Sequence, residues 1–283
     1  MVAILAPAFG LFIVLRRLSL IADTLSHVAL MGVAIGFITN IYPTFVALIA
    51  TTSAAAGIEQ LRARGRLPGD AALAVFLYSA LAIAVIVISK SAGFNADLFG
   101  YLFGTVLSIN DRDLWLIGIL LIVVIVFVIA FYSELTQTAF DSDLAHVSGV
   151  RVNATNLALA VLTGATVTAS MRVVGVLMVG ALIVIPVLAA LRLARGFRTA
   201  LMLAVGFGLL SLWVGLIVSF YADLAAGGAI VMTTVAILVF AEIVGSVLDR
   251  LGARRGAAMA ARDTASGIED GGPGAGQGVP GSD

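Results

Sequence analysis

The chain alternates long apolar runs with short polar joints, and the runs have lengths suited to a bilayer. A spanning helix needs about 20 mostly apolar residues. Val2–Leu15, Leu20–Thr39, Ile41–Gly57, Ala71–Ser89, Leu114–Phe131, Val152–Met171, Val173–Leu191, Thr199–Ala222 and Gly228–Leu248 each read as a helix. The pattern predicts an all-α fold, a polytopic transmembrane helical bundle with about eight or nine spanning helices. The first run is short, and Arg16 and Arg17 follow it. A signal peptide carries its basic residues ahead of the apolar stretch, so this run reads as a short or N-terminally clipped first helix.

The joints alternate in charge. Arg and Lys concentrate in cytoplasmic loops. One set of joints holds Arg16, Arg17, Arg62, Arg64, Arg66, Arg151, Arg192, Arg195, Arg198, Arg250, Arg254, Arg255 and Arg262; the other holds Lys90, Arg112 and Arg172. That bias predicts a cytoplasmic C-terminus and, with nine spans, an external N-terminus. Beyond Gly252 the sequence turns rich in Gly and Asp without apolar periodicity, which predicts a disordered tail. The expected division is a transmembrane domain over 1–248 and a cytoplasmic tail over 249–283.

Three joints exceed simple turns. Glu59–Asp70 is basic and reads as a solvated cytoplasmic loop that helps set topology. Lys90–Asp113 is external, and its Phe, Leu and Tyr residues predict a short helix lying on or dipping into the membrane surface. Ser133–Arg151 is cytoplasmic and amphipathic. There Asp141 can cap a short helix starting near Ser142, and Gly149 can end it. A capped helix is more than a connection requires, so this joint is a candidate docking element.

Composition narrows the class. The chain has 283 residues, 61% hydrophobic and 11% charged, with mean hydropathy +1.14. Soluble domains carry about 25% charged residues, so this is an integral membrane protein surrounded by lipid. Its 16 basic and 16 acidic residues balance, which argues against nucleic-acid binding. There is no cysteine, hence no disulfide and no thiolate metal site. Lys90 is the only lysine and lies in ISKSAG, so no Gly-x-x-x-x-Gly-Lys-Ser/Thr phosphate loop exists.

Ionisable groups inside spans are costly and mark function by default. Asp23 and His27 stand in LIADTLSHVALMGVAIGFIT. At 3.6 residues per turn, positions four apart lie roughly 40° apart around the axis, so the two share a face. A carboxylate with a neutral imidazole suits Zn, Mn or Fe(II) better than Mg or Ca. A structural polar pair and a proton relay are the other readings of this spacing. His146, the second histidine, falls in the cytoplasmic joint and reads as a solvated or docking residue. Asp223 ends a span beside Gly227 and Gly228 and reads either as a plain helix-end carboxylate or as a candidate for an outer vestibule that funnels cations. The external Asp97, Asp111 and Asp113 read as an ordinary wet loop, and Glu242 as a snorkelling side chain. No Gly-x-Ser-x-Gly or His-Glu-x-x-His motif supports a hydrolase.

Several stretches in order resemble one family. LRRLSLIADTLSHVALMGVAIGF, DLFGYLFGTVLSINDRDLW, FDSDLAHVSGV, MRVVGVLMVGALIVIPVLAA and SFYADLAAGGAIV are similar to segments of the permease subunits of ATP-binding-cassette importers for zinc, manganese and iron. The resemblance covers about residues 5–245. It implies a homodimer that works with cytoplasmic P-loop ATPase subunits and an extracytoplasmic metal-binding protein in a prokaryotic cytoplasmic membrane. It also implies that the chain is not an enzyme, because ATP is hydrolysed on the partner. The metal-handling pair maps onto Asp23 and His27. The ATPase-coupling segment maps onto Asp141, Ser142, Asp143, Leu144, His146 and Gly149. The cargo is a divalent transition-metal ion and no cofactor is held permanently. The alternative is a proton-coupled metal carrier that needs no ATPase.

Overall fold

The computed structural model describes residues 1–65, 69–90, 100–104 and 111–269. Its elements are helices: α1 (Val2–Leu15), α2 (Leu20–Ile38), α3 (Pro43–Ala63), α4 (Gly69–Ser89), α5 (Asp111–Ala130), α6 (Tyr132–Phe140), α7 (Ser142–Val147), α8 (Val152–Val174), α9 (Val176–Leu193), α10 (Phe197–Ala222) and α11 (Ala226–Glu269). Every apolar run of the sequence is helical. Three boundaries differ from the apolar pattern, the furthest being that of α11, which runs on to Glu269 past the predicted end at Leu248 and into the expected tail. Helix α3 overruns the predicted end at Gly57, because Glu59, Gln60, Leu61 and Arg62 are all good helix formers. The break expected at Arg172 falls at Gly175, which takes φ +92, a conformation open to glycine and strained for other residues.

The span count is smaller than the apolar runs predict. Six described helices are long and apolar enough to cross a membrane, or seven if Leu114–Ala130 and Tyr132–Phe140, bent by 72°, count as one. The 14-residue α1 and the apolar stretch Met178–Leu193 fall short of that length. At 1.5 Å rise per residue, 14 residues reach about 21 Å, less than the roughly 30 Å hydrocarbon core.

Two units divide the chain, Met1–Ala241 and Glu242–Asp283. Within the first, α2 is the central helix and packs on α3, α4, α8 and α9. The spans of α2 and α8 are each 67% buried, against 22% for α4 and α10. Between helices in lipid, tight packing through small residues replaces the hydrophobic drive. Accordingly Gly32 of α2 meets α3 so closely that a Cβ there would lie 2.5 Å from Ala47 Cα. Gly164 of α8 likewise approaches the Thr51 carbonyl, where a Cβ would sit at 2.9 Å. Beside that contact the Thr51 and Thr168 hydroxyls bond at 2.7 Å. Other buried hydroxyls return to their own helix: Thr24 to Leu20 O, Ser26 to Ala22 O and Thr163 to Leu159 O.

Candidate functional site

Helix α2 begins after a tight turn at Arg16–Ser19, and Asp23 stands in its first turn. His27 Nε2 lies 4.0 Å from Asp23 Oδ1. That is too long for a hydrogen bond, so neither group is consumed by the other. With Zn–N and Zn–O distances of about 2.0–2.2 Å, donors in a tetrahedral shell stand about 3.4 Å apart, so the two atoms must close by about half an ångström to share one ion. The Asp23 side chain is 48% exposed and that of His27 is 18% exposed. His27 Nδ1 is buried and has no hydrogen-bond partner among the described residues. Gly180 of α9 flanks the pair: a Cβ there would stand 3.6 Å from Asp23 Cβ.

The pair belongs to a continuous open stripe. Leu20, Asp23, His27, Met31, Ile35 and Ile38 are half-buried or exposed, whereas Ile21, Ala22, Leu25, Val28 and Ala29 are buried. The spacing follows one helix face. The central helix of the unit therefore turns one flank outward, and that flank carries Asp23 and His27. Among the described residues no group of three or more His, Asp or Glu gathers to hold a metal. Taken alone, the chain offers one carboxylate and one imidazole, half of a four-coordinate shell.

A second polar cluster carried no signal in the sequence. Glu59 belongs to α3, not to a solvated loop, and is buried. Arg62 Nη1 donates to Glu59 Oε2 at 2.9 Å, and Arg16 Nη2 lies 3.7 Å from Glu59 Oε1. The reading of Glu59–Asp70 as a loop is corrected in its first turns: the helix continues, and two guanidiniums compensate the buried carboxylate.

The joint between the bent α5–α6 pair and α8 follows its local chemistry. Asp141 Oδ1 accepts from the Asp143 and Leu144 amides, both at 3.0 Å, and caps α7. At the other end the Gly149 amide donates to His146 O and the Val150 amide to Ala145 O. With Gly149 at φ +86, this is a Schellman stop. Between the caps Ala145 is buried, and Leu144 and Val147 stand exposed, Val147 at 86%. With exposed Phe140, they form an apolar face on a polar joint.

At the opposite pole, Asp223 takes a left-handed conformation at the end of α10 and is exposed, apart from Asp23 and His27. Most of the predicted external helix, including Asp97 in 91–99 and the segment 105–110, lies outside the described residues, as does the Asp113 side chain. The described part is anchored inward. Arg172 Nη2 donates to Tyr101 Oη at 2.8 Å, its guanidinium lies 4.8 Å over that ring, and Tyr101 meets Phe37 of α2 edge-on. Gly104, at φ +76, fits against the Gly175 break, where a Cβ would lie 2.6 Å from Val173 O.

A multi-helix membrane body with one open Asp–His flank and a capped helical joint can now be set beside known proteins. Residues 1–245 match the model of the ABC 3 transport family. The chain belongs to that family. It is 34% identical over 238 residues to a probable metal transport system membrane protein of Treponema pallidum, covering 84% of this chain and 89% of the relative. It is 33% identical over 230 residues to the high-affinity zinc uptake system membrane protein ZnuB of Haemophilus influenzae, covering 81% and 88%. It is 32% identical over 234 residues to the manganese import system permease protein ScaB of Streptococcus gordonii, covering 82% and 84%. Among solved structures, PsaBC from Streptococcus pneumoniae in complex with Fab superposes with a TM-score of 0.76 at 30% identity, over 85% of this chain and 86% of that one. The chain is thus a multi-pass membrane component of a transport system and not itself an enzyme.

Proposed function

We propose that the chain is the permease subunit of an ATP-driven importer that carries Zn²⁺ or Mn²⁺ across the cytoplasmic membrane of a prokaryote. The observation that carries this reading is the half-shell on α2, where Asp23 and His27 lie 4.0 Å apart on an outward flank. A second copy, related by a two-fold axis along that flank, would add a second carboxylate and a second imidazole. Four O and N donors make a set that either metal accepts. The unanchored Nδ1 of His27 suits passage: an outer-shell partner strengthens metal affinity about 10–100-fold, and a conduction site must also release its ion. Zinc and manganese appear in the names of the relatives; iron has no such support.

The remaining parts follow from the same reading. ATP is hydrolysed by a cytoplasmic P-loop partner, which grips α7 through Leu144 and Val147 between the Asp141 and Gly149 caps. A metal-binding protein outside delivers the ion, with Asp223 at the vestibule. The C-terminus is cytoplasmic, with 1–248 as the membrane domain and 249–283 as a tail. Eight or nine segments then cross or enter the bilayer, the short α1 and α9 among them.

Radioactive zinc and manganese uptake into proteoliposomes holding the full assembly tests the proposal. Uptake should require ATP and fall to background in Asp23→Ala and in His27→Ala, while both variants still assemble. Normal uptake by the double variant overturns the site. Uptake by this chain alone, driven by a pH gradient without ATPase, overturns the ATP-driven reading in favour of a proton-coupled carrier.

A further inference from the structure

A cavity of about 870 Å³ opens beside α7, between the ends of α1 and α3 and the start of α8. Its volume falls within the range of small-molecule sites. Arg16, Arg17 and Arg62 line one side. Glu59 stands between Arg16 and Arg62 and is shared by both, so this buried group keeps a surplus positive charge. Burial pushes the Arg16 guanidinium's pKa below its ordinary value; Glu59 pulls it back up, and Arg62 pushes it further down. Arg17 makes no ion pair among the described residues. It is held at φ +57, a conformation that costs a non-glycine residue about 1–2 kcal/mol.

The inner wall adds two buried polar side chains without partners among the described residues. Thr138 is 5% exposed and Asn156 is 8% exposed; Thr138 Oγ1 and Asn156 Oδ1 are both unbonded. The hydroxyl is a donor in waiting, and a half-turn of the amide exchanges Oδ1 for a donor Nδ2. Val152 and Asn153, the first residues of α8, also line the cavity. No side chain caps that 23-residue helix, and helix N-termini attract anions. Asp143 and His146 of α7 complete the rim. The acidic groups at the cavity are therefore Glu59, already paired twice, and Asp143 on the opposite element.

We propose that this cavity is a binding site for a phosphate-bearing anion, held by Arg17 with Arg16 and Arg62 and by the Thr138 hydroxyl. Two sources supply that chemistry: a soluble phosphate, or the headgroup of an anionic lipid. The site stands on residues that the Asp23–His27 reading does not use, so each can fail without the other.

The full chain in phosphatidylcholine nanodiscs is titrated with inorganic phosphate against sodium chloride of equal ionic strength. In parallel, phosphatidylglycerol is added to the discs, and the melting temperature is read in both arms. A saturable rise with phosphate identifies a soluble source; a rise confined to phosphatidylglycerol identifies the lipid. Arg17→Gly should shift the responding midpoint about tenfold or more, the size expected for one lost hydrogen bond to a charged group. Because glycine accepts φ +57 without strain, its melting temperature without anion should not drop. Thr138→Val removes the hydroxyl at nearly constant shape and should weaken the same response. A flat melting temperature in both arms, or wild-type responses from both variants, overturns the proposal.

Discussion

The molecule treats two groups of ionisable side chains in opposite ways. Around Glu59, the carboxylate is buried and met by Arg62 at 2.9 Å and Arg16 at 3.7 Å. On α2, Asp23 is half exposed, its neighbour His27 stands 4.0 Å off, and no third donor joins them among the described residues. Burying a charge is tolerable when it is paired and hydrogen-bonded. The Glu59 cluster meets that condition from within the chain. The Asp23 pair does not, and its flank faces away from the unit's core. A charge neutralised internally reads as structure with any surplus offered to an anion, whereas an intramembrane charge left open reads as a place for a cation or a second copy.

The comparison breaks most sharply if transport ignores the open pair. Asp23→Asn and His27→Gln should each bring metal uptake to background while leaving the melting temperature within a few degrees of wild type. Retained uptake would make the pair structural. The reverse holds for the closed cluster. Glu59→Ala leaves two guanidiniums at a buried site without their carboxylate, and such a broken pair costs about 3–5 kcal/mol. The chain should lose yield and thermal stability before any change in metal preference, as size-exclusion chromatography and thermal unfolding would reveal.

Smaller changes calibrate the scale. Gly149→Ala forces φ +86 on a residue with a Cβ, costing about 1–2 kcal/mol. It should fray the end of α7 and reduce ATPase co-purification. Asp141→Ala removes a cap that accepts two amides, worth about 1 kcal/mol, with the same readout and a milder loss. Thr168→Val breaks the 2.7 Å contact with Thr51. Interhelical hydrogen bonds in membranes average about 0.6 kcal/mol, so the melting temperature should fall slightly and uptake should persist. A large loss there would mean that the α3–α8 seam matters to transport as much as the α2 flank.

Much of this was legible along the chain. Nine apolar runs became helices because a backbone in lipid must satisfy its own hydrogen bonds. The α7 joint was legible down to Asp141 and Gly149, since a cap and a stop depend on neighbours a few residues away. The shared face of Asp23 and His27 followed from helical period. The lengths of α1 and α9 were harder to judge, because apolarity marks a helix without fixing how much of it crosses. Glu59 was misread because its charge looked like a loop signal, and its compensating Arg16 arrives from a different helix.

Local chemistry therefore determined by itself that this is a helical membrane protein, where its helices lie, and which helix carries an Asp and a His on one side. Hydropathy, caps and helical period act over a turn or two, so sequence suffices for them. Only the tertiary structure decided which flank of α2 stays open, that Gly180 borders Asp23, that Glu59 is clamped by two arginines, and that Thr138 and Asn156 meet a basic cavity. Those outcomes depend on helices distant in the chain arriving at the same depth. Packing selects which polar groups find partners, and thereby which are left to bind something else.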